Sequence, residues 1–175
     1  MALIDLLAAK RAEILEQWRN LVFESYVPET ARFLKTQKDR FANPISYQLT
    51  RGLTGVLDAF LSDIQAEELF THLDEVLKIK ALQEHTPARA MAFLFLLKKI
   101  IRSELAQQLQ NPAYIQEMYE IEDRIDGLAL LGFNVYMERR EKLNEVKLSE
   151  VKRCVSGLLR RFGLGSEVFE ERSGT

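Results

Sequence analysis

Residues 73–102, LDEVLKIKALQEHTPARAMAFLFLLKKIIR, limit the possible folds more than any other stretch of the chain. Leu73, Val76 and Leu77 recur at helical spacing, and Lys80 joins their stripe through its methylene stem. Thr86-Pro87 then closes one helix and opens the next. Threonine accepts a hydrogen bond from a free first-turn amide, and proline at the first helical position gives up no bond that a helix would use. The run MAFLFLL at 91–97 has almost no polar face. It predicts a helix to about residue 109 at the centre of a domain, and helices on most sides must cover it.

The rest of the chain supplies them. A helix is predicted over 2–25, with Leu7, Ile14, Trp18, Leu21 and Val22 on one side. Pro28 opens a short helix carrying Phe33 and Leu34. Asn43-Pro44 opens another to about residue 62, with Leu49, Leu53, Val56, Leu57 and Phe60 as its stripe. Gly52 and Gly55 weaken that helix and imply close approach of a second backbone. The next helix covers 67–83. Asn111-Pro112 repeats the capping device, and residues 113–162 then run without proline past Gly127, Gly132 and Gly157.

That last segment changes character. Ile121, Ile125, Leu128, Leu131 and Val135 suit a domain core. From residue 137 the chain is strongly charged, yet Leu148, Val151, Val155, Leu158 and Phe162 keep a three-four spacing, the pattern of a coiled-coil seam. The expected organisation is a helical domain at 1–140, an extension of the last helix at 141–163, and a flexible tail at 164–175. Left in water, the stripe would be an unusual apolar patch, so a homodimer contact or a partner contact is expected there. The competing arrangement bends near Gly157 and packs on its own domain.

Composition excludes several functions. A net charge of −2 offers no concentrated basic face for nucleic acid. The apolar run at 90–97 is far short of the ~20 residues that cross a bilayer, so no membrane insertion is expected. Asp5, Lys10, Arg11 and Glu13 break up any signal-peptide core. The single cysteine, Cys154, excludes an internal disulfide and fits a reducing compartment, which makes the cytoplasm the expected location.

No catalytic constellation is visible: no glycine-rich phosphate loop, no G-x-S-x-G and no Cys-His pairing. The two histidines, His72 and His85, have no metal-ligand spacing, and neither has the glutamate three residues earlier that a di-iron bundle needs. Glu68 and His72 are one turn apart and read as a surface ion pair before a metal chelate. His85 lies just past a helix end, where a globin-type haem ligand is conceivable, although a histidine there also suits the helix dipole. Phe93, Phe95, Tyr119, Phe133 and Tyr136 are core filling or the lining of a small cavity. Cys154 is a reduced, half-buried thiol or a redox handle between subunits. No cofactor and no metal are expected.

Four blocks of sequence carry a family resemblance. They are Trp18 with the later Glu24-Ser25-Tyr26, the FANP of 41–44, the segment 73–102, and DRIDGLALLGFNVYMERREKLNEVKLSEVKR at 123–153. Together they resemble the N-terminal sensor domains of the RsbR group, the co-antagonists of bacterial stressosomes, in their RsbRD form. The resemblance implies an all-α sensor domain that is globin-like, holds no haem, is dimeric, and leads through a helix to an effector. Longer members continue into a STAS domain that a partner kinase phosphorylates. These residues hold no βαβ-like region, so that role is not carried over and a stand-alone module is expected. The expected function is therefore non-catalytic sensing or regulation through dimer and partner contacts, with an unknown signalling protein as partner. The alternative is a globin-like protein binding haem or another small apolar ligand.

Overall fold

Four prolines open four helical elements. The computed structural model describes residues 2–36, 41–62, 66–83 and 86–162. Pro28 begins α3 (Pro28–Thr36), Pro44 begins α4 (Pro44–Leu61), Pro87 begins α6 (Pro87–Glu104), and Pro112 begins a 3-10 turn that runs directly into α7 (Ile115–Arg161). The residue before three of them caps the element. Asn43 Oδ1 accepts from the Ser46 amide at 3.0 Å, Thr86 Oγ1 from the Arg89 amide at 3.4 Å, and Asn111 Oδ1 from the Ala113 amide at 3.0 Å. With α1 (Leu3–Ala9), α2 (Arg11–Glu24) and α5 (Ala66–Leu82), the described residues are all-α and contain no strand. None of their helices is long and apolar enough to cross a membrane.

The chain divides into two compact units, residues 1–139 and 140–175. In the first, α4 packs along α5, and α2 packs against α6 and α4. The closest approach is made by glycine. A Cβ on Gly52 would lie 2.6 Å from Val76 Cγ2, and one on Gly55 would lie 2.2 Å from the His72 ring, so only hydrogen fits between these backbones. The centre is filled by Trp18, Phe93, Leu94, Leu97 and Tyr136. The Trp18 and Phe93 rings stack with centroids 5.9 Å apart, and Trp18 Nε1 donates to the Phe93 carbonyl at 2.6 Å, so the indole leaves no orphan donor.

The first half of α7 is held by ion pairs. Lys98 Nζ donates to Asp126 at 2.9 and 3.0 Å, Arg102 grips Glu122 with both arms of its guanidinium, and Arg139 does the same to Asp74. Glu122 is nearly buried, and the hydrogen bond from Arg102 holds its carboxyl below the ordinary glutamate range against the opposing effect of desolvation. Gly132 gives α7 its seat, because a Cβ there would already press on Met91 Sδ at 3.3 Å.

Four expectations need correction. The helix over 2–25 breaks at Lys10. Its apolar periodicity runs through the break unchanged, so the pattern hides it. The Lys10 ammonium reaches the end of α6, donating to the Glu104 carbonyl at 3.1 Å and its carboxylate at 2.7 Å. That contact neutralises the C-terminal end of α6, which stops at Glu104 rather than near residue 109. The α6 helix is also not buried all round, since Phe95 is 51% exposed. Finally, Lys80 buries its ammonium as well as its stem, leaving 2% of the residue exposed.

Candidate interaction surface

The second unit presents the clearest candidate. Every residue from 144 to 162, at and just past the end of α7, is exposed except Ser156 and Leu159, which are half-buried. Leu148, Val151, Val155, Leu158 and Phe162 are between 36 and 75% exposed. At 3.6 residues per turn they form one band roughly 80° wide. This is the narrow seam of an a/d pattern rather than the broad face of a helix packed on a globular core. The helix is unbroken at Gly157, where an added Cβ would meet nothing within 4 Å. Cys154 lies beside the seam and is exposed, not half-buried.

The first unit carries a second apolar set on the same helix. Leu130 is 72% exposed, and Phe133 and Met137 are also exposed. Their three-four spacing is present in the sequence, where of the three only Phe133 is singled out, as core filling or the lining of a small cavity. At 3.6 residues per turn this set and the core stripe of Leu128, Leu131 and Val135 lie on nearly opposite faces of the helix, roughly 160° apart. The aromatics expected together are divided as well. Phe93 and Tyr136 are buried, whereas Phe95, Tyr119 and Phe133 are exposed, so the five do not line one cavity.

Two features of the first unit have chemical character. A shallow groove of about 430 Å³ between α4 and α5 is lined by Tyr47, Arg51, Gly55, Asp58, Glu68 and His72 among others. His72 Nδ1 is buried there without a hydrogen-bond partner and lies 3.9 Å from Glu75, while Arg51 pairs with Glu75 and Arg11 with Asp58. Glu68 and His72 thus share a groove, but the nearer acid to the imidazole is Glu75. No group of three or more His, Cys, Asp or Glu side chains gathers to hold a metal among the described residues.

The other feature is Lys80. Its Nζ lies 5.5 Å from the centre of the Tyr26 ring and 5.6 Å from that of Phe93. No carboxylate among the described residues pairs with it. Burial, and next the charge of Arg89, push its pKa down to about 8. The same burial pushes the Tyr26 phenol up to about 12. Sequence pattern placed Lys80 on the core face but could not show that its head stays there. His85, the candidate haem ligand, and the tail from residue 163 lie outside the described residues.

The family model for the RsbT co-antagonist protein rsbRD N-terminal domain matches residues 12–151. The match takes in α2 to α6 and most of α7, including Leu148 and Val151 of the exposed seam. No characterised protein and no solved structure matches the chain significantly.

Proposed function

We propose, for a chain that belongs to the RsbRD N-terminal domain family of stress-signalling sensor domains, that it is a non-catalytic regulatory module working by protein contacts. It is placed in the cytoplasm, forms a homodimer and engages a signalling partner. A globin-like arrangement without haem is part of this reading. As the family is that of RsbT co-antagonist proteins, RsbT is the first partner to consider.

The observation that carries the reading is the exposed seam of Leu148, Val151, Val155, Leu158 and Phe162. Five such side chains in water are a patch with no structural use in a free helix. Covering each gains roughly 1.5–3 kcal/mol. The sum is comparable with the ~4–15 kcal/mol that association costs in lost freedom. Leu130, Phe133 and Met137 give the first unit a surface of its own, so a dimer contact and a partner contact need not compete.

Light scattering on the full chain, on Val155→Asp and on Leu130→Asp tests the dimer. Both substituted residues are exposed, so the variants keep the fold. The parent is expected to run as a dimer at micromolar concentration, and one variant as a monomer, which identifies the surface used. A monomeric parent refutes the dimer. A visible spectrum of the purified protein should lack a Soret band; a band lost on His85→Ala would move the assignment to haem binding.

A further inference from the structure

We infer that the seam on the second unit is a docking surface for an acidic amphipathic helix of another protein, rather than for a second copy of this chain. This rests on the proposed contact function and assigns its occupant. With Leu148, Val155 and Phe162 as one row of the seam and Val151 and Leu158 as the other, the positions bordering it are fixed. They are Lys147, Lys152, Cys154, Leu159 and Arg161. None is acidic. Between residues 146 and 162 the helix carries five basic residues and a single acid, Glu150. Glu150 lies roughly 120° from the middle of the seam at 3.6 residues per turn, outside the reach of a packed partner. Lys152, Cys154 and Arg161 are exposed, so the cationic border faces solvent along the seam.

Border positions decide partner choice in paired helices. In a parallel pair, a residue preceding the seam faces the one five positions later on the other helix. A second copy would set Lys147 against Lys152 on both sides. In an antiparallel pair Lys147 would face Arg161. Both orientations bring cations together at a contact where like charges oppose association. A helix with the same apolar spacing and glutamate or aspartate at its borders meets the seam with attraction on both sides. Electrostatic steering would also speed its encounter. The narrow seam separates this occupant from an anionic membrane, which selects a helix with a broad apolar face.

The test uses the full chain and three probes in calorimetry. Two are synthetic three-heptad peptides with valine and leucine in the seam, one bordered by glutamate and one by lysine. The third is vesicles of phosphatidylserine and phosphatidylcholine. The glutamate-bordered peptide is expected to bind roughly tenfold or more tightly than the lysine-bordered one, and to weaken as salt shortens the screening length. Lys152→Glu with Arg161→Glu should reverse the order of the two peptides, and Val155→Asp should abolish both. Equal binding of the two peptides, or binding to vesicles alone, overturns the inference. If neither peptide binds while the parent self-associates in a way that Val155→Asp removes, the occupant is a second copy. The contact function then stands and this inference falls. If Val155→Asp alters neither binding nor self-association, this inference falls, and the contact function falls with it if Leu130→Asp is equally silent.

Discussion

Replacing Lys80 with methionine should stabilise the protein at neutral pH and below, and lose that advantage in alkali. In water a lysine titrates near 10.5, and in this core Lys80 is brought down to about 8. At ~1.4 kcal/mol per pH unit, that difference means the charged form costs the folded state about 3 kcal/mol wherever both states are protonated. The Tyr26 and Phe93 faces return part of this, ~1–2 kcal/mol for a desolvated cation over aromatic rings. Methionine fills the same volume with a flexible apolar chain, so Lys80→Met should gain about 1–2 kcal/mol at pH 7. The sign with pH follows from proton counting. Between about pH 8 and 10.5 the unfolded chain keeps a proton that folded Lys80 has lost, so parent stability rises across that window. Tyr26 acts oppositely. Its phenol is raised from 10 to about 12, so above pH 10 the folded state holds the extra proton and stability falls as pH climbs. Urea midpoints from pH 7 to 11 should therefore rise and then fall for the parent, whereas Lys80→Met should lose the rise and keep the fall. A parent that is flat from pH 8 to 10, with Lys80→Met less stable by more than 1 kcal/mol at pH 7, refutes the reasoning. The ammonium would then be held by more than two aromatic faces.

Other substitutions test the packing and the helix ends. Leu94→Asp should prevent folding, as judged by loss of cooperative thermal unfolding, because an unpaired buried charge costs several kcal/mol. Gly52→Ala should lower stability by about 1–3 kcal/mol despite its better helix propensity, and adding Val76→Ala should recover part of the loss by removing the methyl in its way. Glu122→Gln should weaken the parent at pH 7 and flatten its acid limb. The depressed glutamate contributes stability that is present above its unfolded pKa and is lost as pH falls through the folded one, so chemical denaturation between pH 3 and 7 reads both effects. Gly157→Ala fills open space, so it should add about 1 kcal/mol of helix propensity and tighten binding of the glutamate-bordered peptide rather than weaken it.

Helix starts were legible in the sequence because they are chemical. Asn43, Thr86 and Asn111 cap through their own side chains, and proline fixes the residue that follows. Helix ends were less legible because distant groups decide them. At the stop of α6, Glu104 is met by Lys10, 94 positions away, and the break between α1 and α2 falls at the same lysine. Burial was legible where one stripe was available and ambiguous where two were. On α7 the residues 128, 131 and 135 and the residues 130, 133 and 137 are equally regular. Gly132, close against Met91, selects which set faces inward. The seam at 148–162 could be read because nothing competes with it, and its spacing survives in the helix as an exposed band. What spacing alone did not supply was the identity of its occupant. A search for apolar periodicity asks whether a surface is sticky; the charges at its border decide to what. Lys152 and Arg161 look like ordinary solvated residues in a linear reading, since Glu145 and Glu150 are interleaved with them. Wound onto a helix, Glu150 turns away and the cations remain beside the apolar band. The same residues then describe a surface that rejects its own copy and accepts an acidic helix.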